Sequence, residues 1–232
     1  MGISVPIIVY THTDMKDVWP MFFGQFKKYI SDYNVYVCVN KLDSDIPSDY
    51  TQITYDDSIP YTERWKQLLK QIKEDVIIFL HEDMVLIDTP NFELIEKYTN
   101  YVKTGIANGI KLIFGGSDDI KAEYDNTLVS NEYSKFSIQP TIIKTKTFLD
   151  LLSKVEPLNI WDFEKNVPIE DGHYMVRLGN EKRRGIYHND SLVFPYIATA
   201  INKGKWNYTE YEKELNELFN IYNINPFERG IA

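Results

Sequence analysis

The chain predicts an α/β domain of the doubly wound kind, with a mostly parallel sheet flanked by helices. Three observations predict it. Short β-branched apolar runs alternate with helically spaced stretches over roughly the first 110 residues, as successive βαβ units do. One run, Val76 to Leu80, is apolar at every position, so both of its faces are buried, as in a central strand of a parallel sheet. The 232 residues, 44% hydrophobic and 25% charged, suit one domain able to bury a core.

Val5 to Tyr10 reads as the first buried strand, ending in the polar run Thr11-His12-Thr13-Asp14. From Asp17 to Ile30, Val18, Met21, Phe22, Phe26, Tyr29 and Ile30 recur at helical intervals. Val35–Val39 and Thr51–Tyr55 are the next two strands, the latter closed by Asp56-Asp57. Tyr61 to Ile72 is a helix with Trp65, Leu68, Leu69 and Ile72 on one face, and the central strand Val76–Leu80 follows. In the second half, Lys111–Phe114 reads as a strand, and "SKFSIQPTIIKTKTFLDLL" as a strand leading into a helix near Thr147. Trp161 to Val167 is a loop or short helix, and "PIEDGHYMVRL" predicts a helix opening at Glu170. The run "RGIYHNDSLVFPYIATAI" is strand or irregular, and Tyr208–Tyr222 closes the chain as an amphipathic helix. No repeat or linker divides the chain, so residues 1–232 form one domain, with halves at 1–110 and 111–232.

Composition excludes several classes. A net charge of −9 does not suit phosphate-backbone binding, and the densest basic run, Lys182-Arg183-Arg184, is short. The one cysteine, Cys38, lies in an apolar strand, which excludes a disulfide framework and points to a buried structural thiol. Val5–Tyr10 is too short for a signal h-region and no run reaches a membrane span. The expectation is a soluble, cytoplasmic protein acting on small molecules.

Ligands of open α/β sheets bind beyond the C-terminal ends of the strands. Here those ends are Thr11–Asp14, Asn40-Lys41, Asp56-Asp57 and His81-Glu82-Asp83. Solvated loops account for any one polar end; four together, the last so acidic, point to a site. Glu82 and Asp83 are hard oxygen ligands of the kind Mg²⁺ or Mn²⁺ takes alongside waters and phosphates. Zinc fits less well, because no paired cysteines or spaced histidines lie nearby. Glu170-Asp171 follows Pro168 at a predicted helix start, where an N-cap role and a general-base role both remain open. His188, before Asn189-Asp190, is either a surface histidine or a late third metal ligand.

The motifs together resemble small GT-A-type nucleotide-sugar glycosyltransferases of the family 2 kind. The resemblance rests on "VYTHTD", "YTERWKQLL", "FLHEDMVL", "SIQPTIIKT", "PIEDGHYMVRLGN" and "YHND", and spans nearly the whole chain. It implies a GT-A-like fold and transfer of a sugar from a nucleotide-diphosphate donor, UDP- or GDP-linked, to a hydroxyl of a glycan or other acceptor. That family ends its fourth strand in a D-x-D signature that holds a metal on the donor diphosphate. Here the three positions are His81-Glu82-Asp83: Asp83 matches the metal position, while His replaces the first Asp and would contact ribose or a water. By the same resemblance Asp171, with Glu170, is the catalytic base, and His188 completes the shell of Mn²⁺ or Mg²⁺. Thr11, His12, Asp57 and Arg64, with His81 and Glu82, match the nucleotide-binding region, although for Arg64 a structural ion pair fits nearly as well. An acid at the base position leans toward inversion.

Two rivals cover fewer residues. A sugar nucleotidyltransferase needs a glycine-rich, basic loop after the first strand, and "YTHTDMKD" has no glycine. A non-catalytic sugar- or nucleotide-binding module would suit the 14% aromatic content but leaves the carboxylates without chemistry.

Overall fold

The computed structural model describes residues 5–30, 33–115, 120–131, 136–168, 171–185 and 188–232. In the first half, β1 (Ile7–Tyr10), α1 (Trp19–Tyr29), β2 (Val35–Val39), β3 (Thr51–Thr54), α2 (Tyr61–Leu69), β4 (Val76–His81), β5 (Val85–Leu86) and α3 (Phe92–Thr104) follow in order. The second half adds β6 (Gly109–Lys111), β7 (Lys121–Ala122), β8 (Asp125–Ser130), β9 (Thr141–Lys144), α4 (Thr145–Ser153), α5 (Ile160–Asn166) and β10 (His173–Val176). After several two-residue bridges, α6 (Tyr208–Tyr222) and α7 (Pro226–Arg229) close the chain.

Among the described residues one nine-stranded sheet organises the fold, in the order β3-β2-β1-β4-β9-β6-β10-β8-β7. β3, β2, β1 and β4 are parallel, as the sequence predicts for βαβ units. β9 inserts antiparallel between β4 and β6, and β10 returns parallel to β6, so the sheet is mixed but mostly parallel. β1 and β4 are central, and the apolar stretch from Val76 to Leu80 is fully buried. Helix α1 presents Trp19, Met21, Phe22, Phe23 and Phe26 to the core, and α6 buries Tyr211, Leu215, Leu218 and Phe219. Among the described residues no helix is long and apolar enough to cross a membrane.

Two expected elements differ. The strand expected at Lys111–Phe114 ends at Lys111, because the buried residues after it turn away to meet a late segment: the Ser191 hydroxyl donates to the Leu112 carbonyl, and Asn189 N–H to that of Phe114. The helix expected at Glu170 is β10. Glycine at 172 takes φ +81°, a left-handed turn that ends any helix there and feeds His173 into the sheet. Glu170 itself lies outside the described residues.

Candidate active site

The register aligns four strand ends. Tyr10 stands level with His81 on one side and Cys38 on the other, and Cys38 with Ile53. The residues just beyond this line are those the sequence marks as a site. An aromatic floor lies beneath them: the Tyr10 ring stacks on Tyr55 at 4.9 Å, on His81 at 5.0 Å and on Trp65 at 5.5 Å. Packing among rings desolvates the His81 imidazole and holds its pKa down at about 3, so the ring is neutral, and its Nε2 shares a 2.9 Å hydrogen bond with the Tyr61 hydroxyl.

His81, Glu82 and Asp83 form a tight turn, in which Met84 N–H donates to the His81 carbonyl at 3.1 Å. Glu82 is buried, and burial first, then the neighbouring Asp83 charge, push its carboxyl well above the usual range. The Thr11 hydroxyl is a hydrogen-bond partner that partly offsets this. Burial likewise raises Asp83 to about 7, against the Ile201 N–H that donates to it and the charge of Arg229. Two adjacent carboxyls that resist ionisation together are in the state a divalent cation relieves.

Thr11 is itself fully buried and accepts from Trp19 Nε1 at 2.7 Å. His12 and Asp57 meet at the open edge. Asp14 N–H donates to His12 Nδ1, so the ring proton sits on Nε2, which faces Asp57 Oδ2 at 3.2 Å. Asn40 Nδ2 donates to the same oxygen, and the two donors hold the Asp57 carboxyl below its ordinary value. Arg64 donates to the Ile59 and Asp57 carbonyls and to the Tyr10 hydroxyl, and lies over the Tyr55 ring. It shapes the Asp57–Ile59 loop, and among the described residues it forms no ion pair, contrary to the structural alternative the sequence allows.

His188 reaches this edge of the sheet, where Asn189 N–H bonds the Phe114 carbonyl, but its Nε2 is engaged by the Tyr211 hydroxyl at 2.7 Å. Burial lowers its pKa and keeps it neutral. Among the described residues no group of three or more His, Cys, Asp or Glu stands close enough to hold a metal. A cation at Asp83 and Glu82 would therefore take its remaining ligands from water and substrate oxygens, as Mg²⁺ ordinarily does.

Asp171 does not join the site. His173 stands level with Gly109 and, through Ile143, with Ile77, so Asp171 lies beyond the N-terminal end of the strands. Asp83 lies beyond the opposite end, on the order of 20 Å away along the strand direction. Asp171 is exposed, and Asn108 Nδ2 donates to its carbonyl at 2.8 Å. In place of the expected helix start, β10 carries it to the far edge.

Three residues unmarked in the sequence stand at the near edge instead. Glu164 on α5 accepts from Ile138 N–H at 2.5 Å. Lys111 ends β6 and donates to Ser137 Oγ at 3.1 Å. Arg229 on α7 bonds Asp17 through Nε at 2.6 Å, and its charge favours the ionised forms of Glu82 and Asp83. "IWDFEKN" reads locally as a short surface helix, and nothing nearby in sequence links it to Asp83.

No family model matches the chain. No curated protein matches it either. Solved structures do. A cytidylyltransferase from Leptospira borgpetersenii is 12% identical, with a TM-score of 0.51 and coverage of 97% of this chain and 96% of that one. The bifunctional IspDF from Campylobacter jejuni is 16% identical at a TM-score of 0.46, with 82% of this chain and 52% of that one covered. The glycosyltransferase GlyE of Streptococcus pneumoniae is 9% identical at 0.48, with 75% and 45% covered. The chain thus spans about half the length of the last two. The mostly parallel sheet flanked by helices is a fold shared with the Leptospira cytidylyltransferase. At these identities the likeness reaches the fold alone.

Proposed function

We propose that the chain is a glycosyltransferase moving a sugar from a nucleotide-diphosphate donor, UDP- or GDP-linked, to the hydroxyl of a glycan or other acceptor. The observation that carries this reading is the Glu82–Asp83 couple, set at the C-terminal end of the central strand where α/β folds take their ligands. Asp83, with Glu82 beside it, would hold Mn²⁺ or Mg²⁺, and the cation would offset charge on the departing diphosphate. Asp57, fixed by His12 and Asn40, offers an acceptor at the open rim for a ribose hydroxyl. His188 remains with Tyr211 and is given no share in the cation.

Calorimetry tests this with UDP and GDP, each with Mn²⁺ or with EDTA. Asp83→Ala should weaken the Mn²⁺-dependent affinity tenfold or more, about 1.4 kcal/mol. Equal affinity in Mn²⁺ and EDTA would remove the metal from the reading.

Nucleotidyl transfer is the second reading, on the strength of the cytidylyltransferase sharing this fold over nearly its whole length. The first loop weighs against it: it has no glycine, and its one cation, Lys16, is committed to Asp43 at 2.6 Å and Asp45 at 3.2 Å. Product analysis separates the two. Glycosyl transfer releases a nucleoside diphosphate from a nucleotide sugar; nucleotidyl transfer releases pyrophosphate from a triphosphate and a sugar phosphate.

A further inference from the structure

We infer that Glu164 is the carboxylate that takes the proton from the attacking hydroxyl, an assignment that rests on the glycosyltransferase reading above. Placement supports it first. β9 begins at Thr141, level with Phe79, and the chain just before it runs on past the end of β4. Ile138 lies in that run, and its N–H fixes Glu164 Oε1. Gln139, the next residue, accepts from the Tyr196 hydroxyl at 2.5 Å and donates to the Ala198 carbonyl, and Ala200 N–H in turn bonds the Asp83 carbonyl at 2.9 Å. Glu164 is thereby pinned to the same strip of chain that borders Asp83.

Its helix is held against the site as well. The Phe163 ring packs on Phe136 at 5.3 Å and on Tyr61 at 6.5 Å, and Tyr61 is the residue that bonds His81. Glu164 is half-buried, its Oε1 accepts from Ile138 N–H, and the charge of Lys111 favours its ionised form. Burial raises its pKa, the direction that suits a base working near neutrality, and its negative charge is felt at Asp83. In the transfer, the acceptor O–H proton passes to the Glu164 carboxylate. The acceptor oxygen bonds the anomeric carbon as the bond from that carbon to the diphosphate oxygen breaks, and the electron pair leaves on the diphosphate.

The test uses the whole chain with Mn²⁺ and a panel of UDP- and GDP-sugars, reading release of nucleoside diphosphate with water as the acceptor. Glu164→Gln keeps an oxygen to accept from Ile138 N–H and loses only the base. It should lower turnover by roughly 10²–10⁴-fold while UDP or GDP affinity stays within twofold of wild type. Asp171→Asn is the comparison and should turn over at the wild-type rate. Wild-type turnover in Glu164→Gln, or loss in Asp171→Asn alone, would overturn the assignment and leave the function standing. Loss of nucleotide affinity in Glu164→Gln would also overturn it, by making Glu164 part of the donor site. A wild-type chain that releases no diphosphate from any donor would instead remove the glycosyltransferase reading itself.

Discussion

Asp125 shows how one buried carboxylate contributes to stability away from the site. Its side chain is 3% exposed, and Lys97 Nζ lies 2.7 Å from it. The Thr127 N–H and hydroxyl both donate to its other oxygen, at 3.0 and 2.7 Å. Burial pushes its pKa up, but Lys97 and Thr127 together outweigh this and hold the carboxyl below its ordinary value. A depressed folded pKa stabilises the fold above the unfolded value near 3.9, and the contribution fades as pH falls through the folded value. Asp125→Asn should therefore cost about 1–2 kcal/mol at pH 7, the exposed half of Lys97 tempering the loss, and the gap to wild type should close below about pH 4. Urea denaturation across that range measures it; a gap independent of pH would show that the charge contributes nothing. Cys38 presents the simpler case: it is fully buried, burial alone drives its thiol pKa far up, and the apolar strand pattern already placed it there.

Helix α3 shows what an element owes to its two ends. Asn91 caps its start, the side-chain oxygen accepting from Leu94 N–H at 3.1 Å. Gly105 ends it at φ +81°, with its N–H returned to the last-turn carbonyls of Tyr101 and Val102. A Cβ at Gly105 would meet only the Lys144 amine, at an ordinary 3.6 Å, so the cost of a side chain there is conformational rather than steric. Gly105→Ala should destabilise by about 1–2 kcal/mol and Asn91→Ala by about 1 kcal/mol, each read from the midpoint of chemical unfolding. A neutral Gly105→Ala would mean the helix end relaxes out of the left-handed turn. The same chemistry explains the misplaced element. Pro168 followed by Glu170-Asp171 carries the composition of a helix start, but Gly172 spends its left-handed freedom on a turn into β10. A cap residue and a turn residue look alike until the conformation of the next glycine is known. By contrast β2 and α6 have the bounds their patterns predict, Val35–Val39 and Tyr208–Tyr222, because the apolar run of β2 is buried nearly throughout and α6 turns Tyr211, Leu215, Leu218 and Phe219 to the core.

At the scale of the molecule, the last helix closes the first loop. Arg229 bonds Asp17 and the Asp14 carbonyl, lies over the Trp206 ring at 5.8 Å, and projects positive charge toward Glu82 and Asp83. Arg229→Gln should cost about 2–3 kcal/mol, since it leaves Asp17 half-buried without its partner, and should expose the C-terminal segment to protease. Unchanged stability and unchanged proteolysis would show that α7 docks without the ion pair. That closure links residues at opposite ends of the chain, so no local pattern announces it. What the sequence determined by itself was periodic or local: the βαβ alternation, the central position of Val76–Leu80, and the acidic turn His81-Glu82-Asp83 at its end. These follow from side-chain spacing and burial, which a strand or helix carries within its own few residues. Tertiary structure alone decided which carboxylates share an edge of the sheet with that turn. Insertion of antiparallel β9 and the return of β10 beside β6 set Asp171 at the N-terminal edge and bring α5, with Glu164, to the C-terminal one. Strand order and direction are properties of pairing across the sheet, and one reversal is enough to send a residue to the opposite side of the molecule.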